Sequence, residues 1–360
     1  MTGERSGHRM ETDMLAEAAN AQFRAADFMG AGVVRGIAPA KVNLFLGVGS
    51  QRADGFHDVL TVMHALAMHD VLYVNARPMT DDDHAEWERA SQGVSARSAC
   101  GGPSGKMLVS VDMVDKTADG AGAGESGAAT VPVVDNLAFK AADALARMAG
   151  RDEALRVRIR IEKQVPAQAG LGGGSSDAAC AIACLARQWG IADEQLLSEA
   201  AASIGSDVPF FLQGGCALYD GAGERFVRSL TPLQAPVVVV KPGAGVSTAR
   251  AYAAFDADPQ LASAGMREAV MHAQAADEVP LFNSLTKAAD EVQPAVPSVR
   301  EWLCAQGEVD PSRVLLSGSG SALFAEVDSF AAASRIAARA KGAGLWARPT
   351  SFSRLRAQVI

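Results

Sequence analysis

GLGGGSSDAA, residues 170–179, stands between two patterned segments. Before it, Val157, Ile159 and Ile161 alternate with arginines, the period of a strand. After its serines, the apolar run AACAIACLA (178–186) takes helical spacing. A strand, closely spaced glycines and two serines opening a helix form the order that phosphate binding requires. Glycines let backbone N–H groups approach phosphate oxygens with no Cβ in the way, and the helix N-terminus adds partial positive charge. Ser175 and Ser176 offer hydroxyls to a phosphate or to Mg²⁺, while Asp177 suits the first turn of any helix. A flexible linker would not run at once into an apolar helix. The run is neither GxxxxGK[ST] nor a Rossmann fingerprint, which wants an acidic residue about 20 positions on. It reads as a nucleotide-phosphate loop, and the chain as a phosphotransferase.

Composition narrows the class. The 360 residues suffice for one large domain or two ordinary ones. Hydrophobic residues at 49% and charged residues at 21% match a globular protein. A net charge of −8 argues against nucleic acid or an anionic membrane as the main partner. No apolar run approaches the ~18 residues of a membrane span. The N-terminal stretch, with Glu4, Glu11, Asp13 and Glu17, lacks a secretory core. Cys100, Cys180, Cys184, Cys216 and Cys304 are odd in number and include no CxxC pair. Cys180 and Cys184, one helical turn apart, read as small buried residues, and a reducing cytoplasm is expected.

Residues 1–35 read as an extension, with Met14, Ala18, Ala21 and Ala25 at helical spacing; an over-extended start before Met29 is one account of it. Residues 37–49 alternate as a strand, Val42, Leu44, Leu46 and Val48 against Lys41, Asn43 and Phe45. Residues 59–74 read as a short helix followed by a strand. The Gly, Ala, Ser and Asp-rich stretch 80–132 is expected to hold one inserted strand, 107–114, between flexible loops. Helices are expected over 136–148, 175–190, 193–204, 249–255, 261–276, 290–305 and 330–341, and strands over 237–241, 314–316 and 323–327. The mixture is α+β. The pattern resets past Pro232, giving domains 36–232, with the insertion, and 233–360.

Four further segments bear on chemistry. APAKVNLFL (38–46) puts Lys41 and Asn43 on one strand face, where an ammonium and an amide could hold substrate oxygens; a lysine on a surface strand is also ordinary. In IGSDVPFFL (204–212), Asp207 suits either a helix N-cap or a carboxylate that orients and deprotonates a hydroxyl. DGFHDVLTVMHAL (54–66) sets Phe56 beside His57, a pair able to stack on and hydrogen-bond a ring, or else a core Phe and a surface His. His64 and His69, five apart, share no helix face, so no metal site is expected there. LLSGSGSALFAEV (315–327) is an ordinary hairpin unless the fold brings its Gly/Ser loop toward the first one.

PAKVNLFL, RADGFH, PAQAGLGGGSSDAA, GSDVPFFL, PGAGVSTARAY and SGSGSALF, in this order, resemble the motifs of the GHMP kinase superfamily, from about residue 36 to the end. Within it they are similar to the branch acting on 4-diphosphocytidyl-2-C-methyl-D-erythritol in non-mevalonate isoprenoid synthesis. The resemblance implies a ribosomal protein S5 domain 2-like N-terminal domain and a ferredoxin-like C-terminal domain, with ATP and substrate between them. It implies Lys41 and Asp207 as the catalytic pair. Pro166, Ala167, Gln168, Ala169, Gly170, Leu171, Gly172, Gly173, Gly174, Ser175 and Ser176 would wrap the ATP phosphates, with a bridging Mg²⁺. Asn43 would help position the substrate. Phe56 and His57 would receive the cytosine, with Tyr252 on the ring's other face. The family often carries Tyr where Phe56 stands, and glycines are common at Gln168 and Ala169. The implied partner is a small molecule, and the oligomeric state stays open. A kinase for homoserine, mevalonate or a sugar is the alternative, though a small aliphatic alcohol needs no aromatic clamp. A non-catalytic nucleotide binder would have no use for the Lys41 and Asp207 pair, and a nicotinamide dehydrogenase would need a βαβ context that is missing.

Overall fold

Val34–Gln51 forms one long strand, β1, buried along both faces. The computed structural model describes residues 32–53, 55–95, 98–117 and 131–360. The expected helical spacing at residues 14–25 lies outside the described residues. β2 (His57–Pro78) returns antiparallel to β1. Then follow α1 (Asp81–Ser91), β3 (Ser98–Gly101), β4 (Met107–Asp115), α2 (Leu137–Met148) and β5 (Leu155–Lys163). The phosphate-loop helix is α3 (Gly173–Trp189), followed by α4 (Glu194–Ala202), α5 (Val208–Gln213), β6 (Cys216–Asp220) and β7 (Arg225–Leu230). The rest comprises β8 (Pro236–Lys241), α6 (Thr248–Ala257), α7 (Ala264–His272), β9 (Phe282–Asn283), α8 (Thr286–Val292) and α9 (Ala295–Cys304). β10 (Val314–Leu316), β11 (Leu323–Glu326), α10 (Phe330–Gly342), β12 (Trp346–Ser351) and β13 (Gln358–Val359) complete it.

Two sheets result. One runs β13-β1-β2-β5-β4-β3, with β6 and β7 continuing from β2 and β9 beside β1; the other runs β10-β11-β8-β12. A division near residue 232 separates these sheets except for β9 and β13, which come from the C-terminal part and pair with β1. Between the sheets lies a shared apolar core in which Val42, Leu44 and Leu171 meet Val237, Val239 and Phe324. α3 packs on β1 closely enough to require a glycine there. A Cβ on Gly36 would fall 2.5 Å from Cys180 Sγ and 2.8 Å from Cys184 Sγ, so those two cysteines are packing residues.

Several elements differ from their sequence patterns. Residues 59–74 contain no helix: they belong to β2, which pairs with β1 on one edge and with β5 and β6 on the other. Burial on both faces erases the two-residue period that would have marked a strand. The alternation in β1 breaks at a register shift between Asn43 and Phe45, which turns Phe45 into the core beside Leu44. The insertion holds more than one strand. Thr80 and Asp83 form a capping box that starts α1, and Arg77 grips Asp83 through two hydrogen bonds of 2.6 and 3.0 Å. β3 pairs with β4, and β4 runs parallel to β5. The helix expected over 290–305 splits into α8 and α9 around Gln293 and Pro294, because the residue before a proline is pushed out of helical conformation.

Candidate active site

β1 places Lys41 and Asn43 on one face, between two register shifts. Both side chains are buried. Lys41 Nζ donates to Asn43 Oδ1 at 2.7 Å and lies 3.4 Å from Asp207 Oδ2. Asn43 Nδ2 donates to Thr61 Oγ1 at 2.8 Å, and that hydroxyl donates to the Phe45 carbonyl at 2.8 Å. Asp207 stands at the N-cap position of α5, yet its side chain makes no capping bond, so its carboxylate serves Lys41 instead. It stays a third exposed, open to a second ligand.

The phosphate loop lies against this pair. Its carbonyls are taken by the protein. Leu171 O accepts from Lys41 N at 3.0 Å, Gly170 O from Ser317 Oγ at 2.8 Å, Ala169 O from Ala322 N at 3.1 Å and Gln168 O from Ser321 N at 3.3 Å. The N–H groups from Gly170 to Ser175 donate to no protein acceptor among the described residues. The loop therefore offers donors at a helix N-terminus, the arrangement that binds an anion. Gly170 is obligatory: its φ is +73°, and a Cβ would fall 1.9 Å from Ser317 O. Ser176 Oγ is buried without a partner. Asp177 faces away from the pair, 2.6 Å from Lys163 Nζ, which also pairs with Asp70. Burial pushes the Asp177 carboxyl above the usual range, and its two carboxylate neighbours push Lys163 up against the opposing effect of burial.

The fold does bring the second Gly/Ser loop to the first. Besides the bonds from Ser317, Ser321 and Ala322, Gly318 N donates to Asn43 Oδ1 at 3.0 Å. Asn283, which carries no periodic signal in the sequence, holds this second loop through two bonds of 2.8 Å from Nδ2 to the Leu316 and Gly318 carbonyls. Asn43 Oδ1 thus accepts from both Lys41 and Gly318, tying the lysine to the second loop.

The aromatic elements lie at β2 and α6. His57 and Tyr252 ring centroids are 5.2 Å apart, and Phe255 approaches His57 edge-on at 5.9 Å. His57 Nε2 lies 2.7 Å from Asp256 Oδ1, a partner the sequence did not reveal. Phe56 is 64% exposed. Burial and, second, the charge of Asp207 push the Tyr252 phenol up to about 12.

Residues 136–215 match the family model of the GHMP kinases N-terminal domain. The 4-diphosphocytidyl-2-C-methyl-D-erythritol kinase of Pelotomaculum thermopropionicum is 35% identical over 312 residues, covering 85% of this chain and 93% of its own. That of Nocardia farcinica is 35% identical over 323 residues, covering 86% and 89%. The chain belongs to the 4-diphosphocytidyl-2-C-methyl-D-erythritol kinase family. A crystal structure of 4-(cytidine 5'-diphospho)-2C-methyl-D-erythritol kinase is similar at 31% identity and TM-score 0.60, covering 89% of this chain and 99% of that one. Homoserine kinase from Cytophaga hutchinsonii, 15% identical, shares the fold alone, with TM-score 0.58 and 91% and 98% covered. The α+β architecture is thus the two-domain GHMP kinase fold. Gln168 carries φ +51°, a left-handed backbone in which a glycine would sit without strain. Among the described residues no helix is long and apolar enough to cross a membrane, and no three His, Cys, Asp or Glu side chains group as metal ligands.

Proposed function

We propose that this protein phosphorylates the 2-hydroxyl of 4-diphosphocytidyl-2-C-methyl-D-erythritol with ATP, a step of non-mevalonate isoprenoid precursor synthesis. The observation that carries it is the meeting of Lys41, Asp207 and the phosphate loop in a chain of this family.

Unspent N–H donors from Gly170 to Ser175 suit the β- and γ-phosphates of ATP, and the orphaned Ser176 hydroxyl adds one more polar contact. Pro166 to Ala169 complete the loop. Mg²⁺ would enter on the nucleotide, where Ser175 and Ser176 would offer it hydroxyl oxygens, and would supply charge neutralisation. The chain's own residues do the rest. Asp207 orients the acceptor hydroxyl and takes its proton as the oxygen bonds to the γ-phosphorus and the β–γ bridge breaks. Lys41, 3.4 Å from Asp207, neutralises charge on the reacting oxygen. Asn43 holds Lys41 and, through Gly318, the second loop, so that positioning supplies most of the acceleration. Phe56, His57 and Tyr252 receive the cytosine. Their contribution favours a cytidyl substrate over homoserine, mevalonate or a free sugar, which have no aromatic base to clamp. The free cysteines suit a reducing cytoplasm.

The test is the position of the new phosphate. Phosphorus NMR of the product should show a monoester on the 2-hydroxyl; a phosphate on another hydroxyl, or ATP hydrolysis without an acceptor, would overturn the proposal.

A further inference from the structure

His57 opens β2 and is buried against two rings of α6, Tyr252 and Phe255. The same helix supplies the partner of the imidazole, Asp256, whose Oδ1 lies 2.7 Å from Nε2. An ionised carboxylate accepts and never donates, so Nε2 carries the hydrogen. In the neutral ring Nδ1 is then a bare acceptor. Among the described residues Nδ1 has no partner, and it is not sealed in the core.

We propose that Asp256 is a positioning residue for base selection: it fixes His57 in the Nε2–H tautomer, so that Nδ1 accepts from the exocyclic amine of cytosine. Uracil presents a carbonyl oxygen at the same place, and two acceptors would face each other across a dry aromatic wall. Tyr252 and Phe255 stiffen the imidazole and keep water from relaying between the two acceptors. Selectivity for cytidine thus begins at Asp256, a residue that touches no substrate. The inference rests on the kinase reading above.

Steady-state kinetics of the full chain with the cytidyl substrate and its uridyl counterpart test it, using wild type, Asp256→Leu and Asp256→Asn. The wild type should favour the cytidyl substrate by about tenfold or more in kcat/KM. Asp256→Leu should raise the cytidyl KM about tenfold, leave the ATP KM within about twofold and bring the preference near unity. Asp256→Asn, whose amide oxygen still accepts from Nε2–H, should keep most of the preference. Nitrogen-15 NMR of His57 should show the Nε2–H tautomer in the wild type and Asp256→Asn, and a mixture in Asp256→Leu. An unchanged preference in Asp256→Leu, or an Nδ1–H tautomer in the wild type, would overturn this inference and leave the kinase reading standing. A wild type that phosphorylates neither nucleotide substrate would defeat the kinase reading itself.

Discussion

Lys41 Nζ lies 3.4 Å from Asp207 Oδ2, although the two residues come from β1 and from the start of α5. Apolar packing sets that distance. Phe211 holds α5 against the loop so tightly that a Cβ on Gly172 would fall 2.6 Å from its ring and 3.1 Å from Lys41 Cγ. The pair sits where the phosphate loop ends and where Asp207 stays open to a hydroxyl.

Replacing Asp207 by Asn keeps the shape and removes the proton acceptor. Turnover should fall by about 10²–10⁴-fold, with the ATP KM little changed. Near-normal turnover would take Asp207 out of the mechanism.

Asn43→Ala should cost both stability and rate. It removes the acceptor for Lys41 Nζ and Gly318 N and the donor to Thr61 in a buried place. Urea unfolding should show a loss of about 1–3 kcal/mol. Turnover should fall at least about tenfold, because the lysine and the second loop lose their common anchor. A loss of stability with full turnover would refute the positioning role.

Gln168 is the non-glycine residue with a left-handed backbone among the described residues, at φ +51°. Gln168→Gly relieves that strain, and stability should rise by about 1 kcal/mol. A fall in stability would mean that the Gln side chain holds the loop against Gly245 more strongly than the strain opposes it.

Buried His64 accepts from Leu233 N at 2.9 Å through Nε2, and Nδ1 donates to the Ala65 carbonyl at 2.9 Å. Burial lowers its pKa from 6.5 to about 4. The unfolded chain therefore binds this proton first, so the stabilising contribution is complete above pH 6.5 and is lost as pH falls toward 4. The loss should reach at most about 3 kcal/mol. His64→Gln, which does not titrate, should flatten stability between pH 6.5 and 4; an unchanged slope would remove His64 as its source.

Much of this was legible in the sequence, for reasons tied to particular residues. Glycine spacing and the serines at the start of α3 marked the phosphate loop, since few other conformations use so many closely spaced glycines. Local patterns could not show that the 317–321 loop closes on Gly170, because that contact depends on β8 and β11 packing against β1. Nor did the Asp256 partnership with His57 leave a trace, as Asp256 is one acid near the end of an ordinary helix. α1 is hidden by composition: its acidic first turn resembles a solvated stretch, and only the fold sets Arg77 and Arg156 beside Asp83. β2 carries no strand signal because burial on both faces leaves no alternation to find.

The most direct measurement sets three acceptors side by side, with ATP consumption followed for the cytidyl substrate, homoserine and mevalonate. A kcat/KM for 4-diphosphocytidyl-2-C-methyl-D-erythritol at least about 10³-fold above either small alcohol is the expected result, since those alcohols forgo every contact to the base. Comparable turnover of homoserine or mevalonate, or none of the cytidyl substrate, would contradict it.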